Sequence, residues 1–179
     1  FRKVVEMINS FKQYYIDHNQ PIYENPSPGN KRGGITTLEE KSLGCIQKGG
    51  QATVTDTLYY GEHCKKAGLN LMIGPGNDSI SITNLLSSGA QILLFTTGRG
   101  NPLGTAIPTI KISTNTNLYN RKKQWIDFDA GIILENKSFE EAADELWDLI
   151  IDVASGRRKT KNEVNGYREI MIFKQGVIL

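Results

Sequence analysis

Leu69-Asn-Leu-Met-Ile-Gly-Pro-Gly-Asn-Asp78, followed by a helical stretch, Gly89 and Gln91-Ile-Leu-Leu-Phe95, decides the fold. Residues 69–73 read as a strand and Gly74-Pro-Gly76 as a turn. Asn77 or Asp78 caps a helix that runs through Ser88 and stops at Gly89, and 91–95 is a second apolar strand. Such a βαβ pattern predicts a right-handed crossover between two buried, parallel strands. Working outward, Thr109-Ile-Lys-Ile-Ser113 is a further strand after Pro108, and 52–58 is β-rich. Ile132-Ile-Leu134 and Glu169-Ile-Met-Ile-Phe173 read as two more strands, the second turning into Val177-Ile-Leu179.

Helices separate these strands. Val4, Ile8, Phe11 and Tyr15 recur at helical spacing, so 2–18 is an amphipathic helix. Pro26 and Pro28 bias their predecessors away from helix, so that segment is expected to be an extended loop. Thr37 with Glu40, and Ser138 with Glu141, are capping-box pairs. The first opens a helix to about Lys48, stopped by Gly49-Gly50. The second opens one to about Ala154, with Leu146, Leu149, Ile150 and Val153 on its core face. Alternating strands and helices predict an α/β fold, a three-layer Rossmann-like domain with a mainly parallel sheet flanked by helices.

Composition excludes several classes. A chain of 179 residues with net charge +2 and 39% hydrophobic residues is an ordinary globular sequence. The basic runs Arg121-Lys-Lys123 and Arg157-Arg-Lys159 lack interleaved aromatics, so no nucleic-acid partner is expected. No apolar run approaches the roughly 20 residues of a membrane helix. Two cysteines, Cys45 and Cys64, give no disulfide framework; Cys45 reads as a small buried residue. His18 and the His63-Cys64 pair lack the spacing of a complete metal site.

Two glycine-punctuated segments carry chemistry. In Asn25-Pro-Ser-Pro-Gly-Asn-Lys31, continuing through Gly33-Gly34 to Glu40-Lys41, polar side chains precede a helix start, whose free N–H groups suit a carboxylate. Lys41 sits on a first turn, where a cation opposes the helix dipole, so a functional or ion-paired role competes with a solvated one. Glu40 is already explained by its cap. In Phe95-Thr-Thr-Gly-Arg-Gly100, Thr96, Thr97 and Arg99 follow a strand at its carboxyl end, where open α/β sheets bind ligands. Arg99 suits a carboxylate and the threonines suit sugar hydroxyls. For both segments an ordered turn without function is the plain alternative. The spacing of Gly98, Gly100 and Gly104 does not make a dinucleotide fingerprint. Asp127 and Asp129 alternate, and would share one face if extended, meeting a metal, a hydroxyl or only solvent.

These two segments, with Trp125-Ile-Asp-Phe-Asp-Ala-Gly131 and the stretch from Asp152-Val-Ala-Ser-Gly156 to Tyr167-Arg-Glu-Ile170, resemble the C-terminal region of the altronate/galactarate dehydratase family, nearest its altronate branch. The resemblance implies a bacterial, cytoplasmic hydro-lyase that dehydrates a small sugar acid, D-altronate, to a 2-keto-3-deoxy acid. Galactarate or sulfolactate as substrate, or a non-catalytic assembly role, are the alternatives. It implies a helix over 1–22 leading from an upstream domain and a C-terminal α/β domain over 23–179. It further implies substrate binding by Asn30, Lys31, Thr96, Thr97 and Arg99, with Lys41 and Glu40 as acid–base candidates. The family's dependence on a divalent metal, Fe2+ or Mn2+, implies ligands mostly outside this chain. A homodimer stays open.

Overall fold

The computed structural model describes residues 1–21, 25–74, 77–174 and 176. The chain divides into two compact units, one of Phe1–Asn77 with Phe173–Leu179 and one of Asp78–Ile172. The expectations for Gly74-Pro-Gly76 and Val177-Ile-Leu179 lie largely or wholly outside the described residues.

The first unit contains α1 (Arg2–Asp17), α2 (Pro28–Arg32), α3 (Leu38–Lys48), β1 (Val54–Leu58) and β2 (Leu69–Met72). α1 buries Met7 and sets Phe11 and Tyr14 toward an aromatic groove shared with Tyr59, Tyr60 and Phe173. The Tyr60 and Phe173 rings lie 5.2 Å apart, and the Tyr60 hydroxyl accepts the Phe173 N–H at 2.7 Å. The expected extended loop at Pro28 is instead a short helix. Ser27 caps it and Pro28 stands within its first two positions, where a missing N–H costs nothing. Gly34, at φ +98°, turns the chain out of it through a conformation that side chains disfavour. α3 opens on the predicted Thr37–Glu40 capping box and ends at Gly49. It buries none of its residues, and Cys45, expected inside, is exposed. β1 and β2 pair in parallel.

The second unit contains α4 (Asp78–Ser87), β3 (Leu93–Thr97), β4 (Thr109–Ser113), α5 (Thr116–Arg121), β5 (Phe128–Asp129), a 3-10 turn (Ala130–Leu134), α6 (Phe139–Ala154) and α7 (Lys161–Asn165). Its three strands are parallel, in the order β3-β4-β5. On one face Ile110 and Ile112 pack against Leu149 and Val153 of α6. On the other, Leu93 and Phe95 meet Ile82 and Leu85 of α4, together with Leu103. Helices therefore cover both faces of a parallel sheet, the α/β arrangement expected.

The predicted pairing of 69–73 with 91–95 is not what forms. β2 takes β1 as its partner and β3 takes β4, so the two strands belong to different sheets. Residues 132–134 are not a strand either. The Asp129 carboxylate accepts the Gly131 N–H at 2.9 Å and coils the backbone into a 3-10 turn. No strand forms over 169–173. Its backbone is used in separate places instead: the Glu169 N–H donates to the Gly104 carbonyl at 3.1 Å and the Met171 N–H to the Thr83 hydroxyl at 3.0 Å.

Candidate functional site

In the first unit Lys41 is the centre of the marked segment. Its Nζ donates to Asn25 Oδ1 at 2.7 Å and to Asn30 Oδ1 at 3.2 Å. Asn30 Oδ1 also accepts the Ser27 N–H at 3.3 Å, closing the cap of α2. Two amide oxygens thus hold an ammonium at the start of α3, where the helix dipole alone would disfavour it. The sequence reading named Asn30 and Lys41 and missed Asn25, although Asn25 opens the quoted motif. Lys31 is exposed in the last turn of α2. Glu40 folds back on its own helix, with Oε2 accepting the Thr36 N–H at 2.8 Å and the Thr37 N–H at 3.2 Å. The Thr36 and Thr37 donors hold its carboxyl below the ordinary glutamate value, which keeps it ionised and weakens it as a base.

In the second unit, the turn after β3 sits beside the end of β4. Thr97 Oγ1 accepts the Gly100 N–H at 3.0 Å, and the Thr97 carbonyl accepts the Thr114 N–H at 3.1 Å. Asn115 ties both ends together. Its Nδ2 donates to the Gly98 carbonyl at 3.1 Å while its Oδ1 caps α5 through the Leu118 N–H at 2.8 Å. Gly100, at φ +88°, with Leu118 Cδ1 3.0 Å from where a Cβ would stand, closes this turn. Strand alternation sends Thr96 and Thr97 to opposite faces, so only one of them shares the face of Phe95's neighbour Lys111. Arg99 is exposed and forms no ion pair or hydrogen bond with the described residues, leaving its guanidinium available.

Asp127 and Asp129 are buried rather than solvated. Asp127 accepts the Lys111 N–H at 2.9 Å and the Lys161 N–H at 2.7 Å. Asp129 accepts the buried Ser113 hydroxyl at 3.2 Å as well as the Gly131 N–H. Burial raises the Asp127 carboxyl above the ordinary aspartate value, against the lowering pull of those backbone donors.

The sequence reading also passed over Lys111, in the middle of β4 and 1% exposed. Its Nζ has no hydrogen-bond partner and lies 5.7 Å from the centre of the Tyr167 ring. Burial lowers this ammonium to about 8, opposed by Asp127 and Glu169. The signal was present as a charged residue between Ile110 and Ile112 on an otherwise buried strand.

Among the described residues no three His, Cys, Asp or Glu side chains come together to hold a metal ion. No helix among them is long and apolar enough to cross a membrane.

A family profile described as "D-galactarate/Altronate dehydratase, C-terminal" matches residues 1–178. The chain is 54% identical over 179 residues to a protein named altronate dehydratase from Escherichia coli (strain K12), and 55% identical over 180 residues to one of that name from Bacillus subtilis (strain 168). Both alignments cover 100% of this chain and 36% of the relative. Galactarate dehydratase (L-threo-forming) from Escherichia coli (strain K12) is 40% identical over 175 residues, covering 96% of this chain and 34% of that protein. The chain thus spans about a third of the length of these relatives. It belongs to the D-galactarate/altronate dehydratase family, over the part that the family profile describes as C-terminal.

Proposed function

We propose that this chain is part of a bacterial, cytoplasmic hydro-lyase that removes water from D-altronate to give 2-keto-3-deoxy-D-gluconate. The observation that carries the reading is 54–55% identity to proteins named altronate dehydratase over the whole chain, against 40% to galactarate dehydratase.

The chemistry asks for a group that takes the C2 proton, cationic or dipolar groups beside the carboxylate that gains charge, and a donor for the C3 hydroxyl as it leaves. Lys41, fixed by Asn25 and Asn30, supplies a cation at a set position. Asn30, Lys31, Thr96, Thr97 and Arg99 are assigned to the substrate carboxylate and hydroxyls. Glu40 is kept as an acid–base candidate, one that its cap makes a weaker base. A divalent ion, Fe2+ or Mn2+, is assigned to ligands mostly outside this chain. No step above depends on it.

The test is incubation of the full-length protein with D-altronate and Fe2+ or Mn2+ under reducing conditions, following the keto acid, with galactarate and sulfolactate in parallel. Product from altronate alone supports the reading, and product from another acid replaces the substrate. In the active protein, Arg99→Ala and Lys41→Ala are expected to cut turnover without unfolding it. Unchanged turnover in both would remove these residues from the site.

A further inference from the structure

Lys111 and Asn162 are each buried against Tyr167 and carry complementary hydrogen-bonding capacity unused among the described residues. Lys111 offers three donors at 1% exposure and Asn162 is 2% exposed. Asn162 Nδ2 donates to the Tyr167 carbonyl at 3.1 Å, but among the described residues its Oδ1 has no partner, and neither has Lys111 Nζ. A buried cation and a buried carbonyl oxygen left unpaired are each costly, and native folds keep few of them.

The surroundings narrow what would satisfy both. Nearby carboxylates are already engaged: Asp127 with the N–H groups of Lys111 and Lys161, and Glu169 Oε2 with the Gly104 N–H at 2.7 Å. One ammonium beside two carboxylates gives no positive surplus, so the place does not favour a further anion. A neutral hydroxyl fits, because one oxygen can accept from Lys111 and donate to Asn162 Oδ1. Gly104 makes the arrangement sterically feasible, since a Cβ there would lie 1.9 Å from Asn162 Nδ2. The roof is Tyr167–Ile172, which has no regular secondary structure and is tied by Glu169 to Gly104 and by Met171 to Thr83.

We propose that Lys111 and Asn162 form a hydroxyl-binding subsite for the polyhydroxy acid, reached when the Tyr167–Ile172 strap lifts. This rests on the reading of the chain as part of a polyhydroxy-acid hydro-lyase. A hydroxyl can come from water or from the substrate, and only the second makes the pair a substrate site.

The experiment measures altronate binding and turnover in full-length wild-type, Lys111→Met and Asn162→Ser proteins, using D-altronate and its 4-, 5- and 6-deoxy analogues. Both substitutions are expected to weaken altronate binding roughly ten- to a hundredfold with the fold intact, as for loss of a charge-assisted hydrogen bond. One deoxy analogue should bind wild type more weakly by a similar factor, with no further loss in Lys111→Met. If Lys111→Met does not fold, Asn162→Ser carries the same comparison. Unchanged affinity in a folded variant, or every deoxy analogue binding as well as altronate, means that the pair holds water only and overturns the proposal. A wild-type protein that neither binds nor turns over altronate overturns the functional reading and this subsite with it.

Discussion

The carboxylate of Asp127 accepts the backbone N–H of Lys161 at 2.7 Å, tying the first turn of α7 to the sheet. Its other oxygen accepts the Lys111 N–H at 2.9 Å, so one side chain spans a strand and a helix start. Asp127→Ala leaves two backbone donors without partners and should cost roughly 2–4 kcal/mol in urea unfolding. Asp127→Asn, which keeps one acceptor, should cost less. Burial holds this carboxyl above the ordinary aspartate value. Its pH-linked contribution is therefore full below that value and lost as pH rises through the folded one, and Asp127→Asn should abolish that slope. A loss under about 1 kcal/mol in the alanine variant would mean that water replaces the carboxylate.

Lys111 makes the opposite prediction at alkaline pH. Its ammonium titrates at about 8 in the fold against an ordinary 10.5, so the unfolded chain holds the proton longer. Stability from this group should rise between those values by roughly 3 kcal/mol, the cost of the buried cation being relieved as it deprotonates. Lys111→Met should be at least as stable as wild type near neutral pH and should lack the rise. Parallel pH profiles for the two proteins would show that the ammonium is solvated.

Two glycines should respond differently to alanine. At Gly104 the three atoms nearest the new Cβ all belong to the Asn162 amide, so Gly104→Ala should lose roughly 2–3 kcal/mol and recover part of it in combination with Asn162→Ser. At Gly131 the Cβ would lie 2.3 Å from the Thr116 N and 2.7 Å from Asn115 backbone atoms. No side-chain change relieves that clash, so Gly131→Ala should be worse and not rescued by Asn115 or Thr116 substitutions. Thermal unfolding of the singles and the doubles decides both.

The start of α3 separates folding from function. Thr37→Ala removes the side chain that accepts the Glu40 N–H and should cost about 1 kcal/mol. Because the cap holds Glu40 below the ordinary value, its support is full above that value and fades as pH falls through the lowered one. Lys41→Ala should leave helix content unchanged while reducing turnover of the full-length protein. Circular dichroism beside the keto-acid assay distinguishes the two effects, and equal turnover would return Lys41 to a local brace.

Local features were readable from the residues, since their causes lie within a few positions. The Thr37–Glu40 and Ser138–Glu141 boxes stand where Ser or Thr precedes Glu by three, and both form. Strands β2, β3 and β4 announce themselves by apolar and β-branched runs. Partner choice did not follow, because the β2–α4–β3 order is equally compatible with each strand pairing elsewhere, as both do. Pro28 reads as a helix breaker unless Ser27 is recognised as a cap. Glu169–Phe173 has a strand's composition, yet Glu169 and Met171 pair with Gly104 and the Thr83 side chain, which composition does not encode. Of the marked residues, Asn30 and Lys41 share one motif and meet through a hydrogen bond that the motif did not specify, while Lys111 shows in sequence only as a lone charge between two isoleucines.

β4 carries two unlike surfaces on one strand. Ile110 and Ile112 face the apolar side of α6, and Thr109, Lys111 and Ser113 alternate to the other side, where Thr109 meets the Thr105 hydroxyl, Lys111 the Tyr167 ring and Ser113 the Asp129 carboxylate. Any substitution at 110 or 112 is judged by volume, any at 109 or 113 by hydrogen bonding, and any at 111 by the charge it buries. Polar changes at 109, 111 and 113 can therefore be made on a strand whose reverse side, packed on α6, need not be touched.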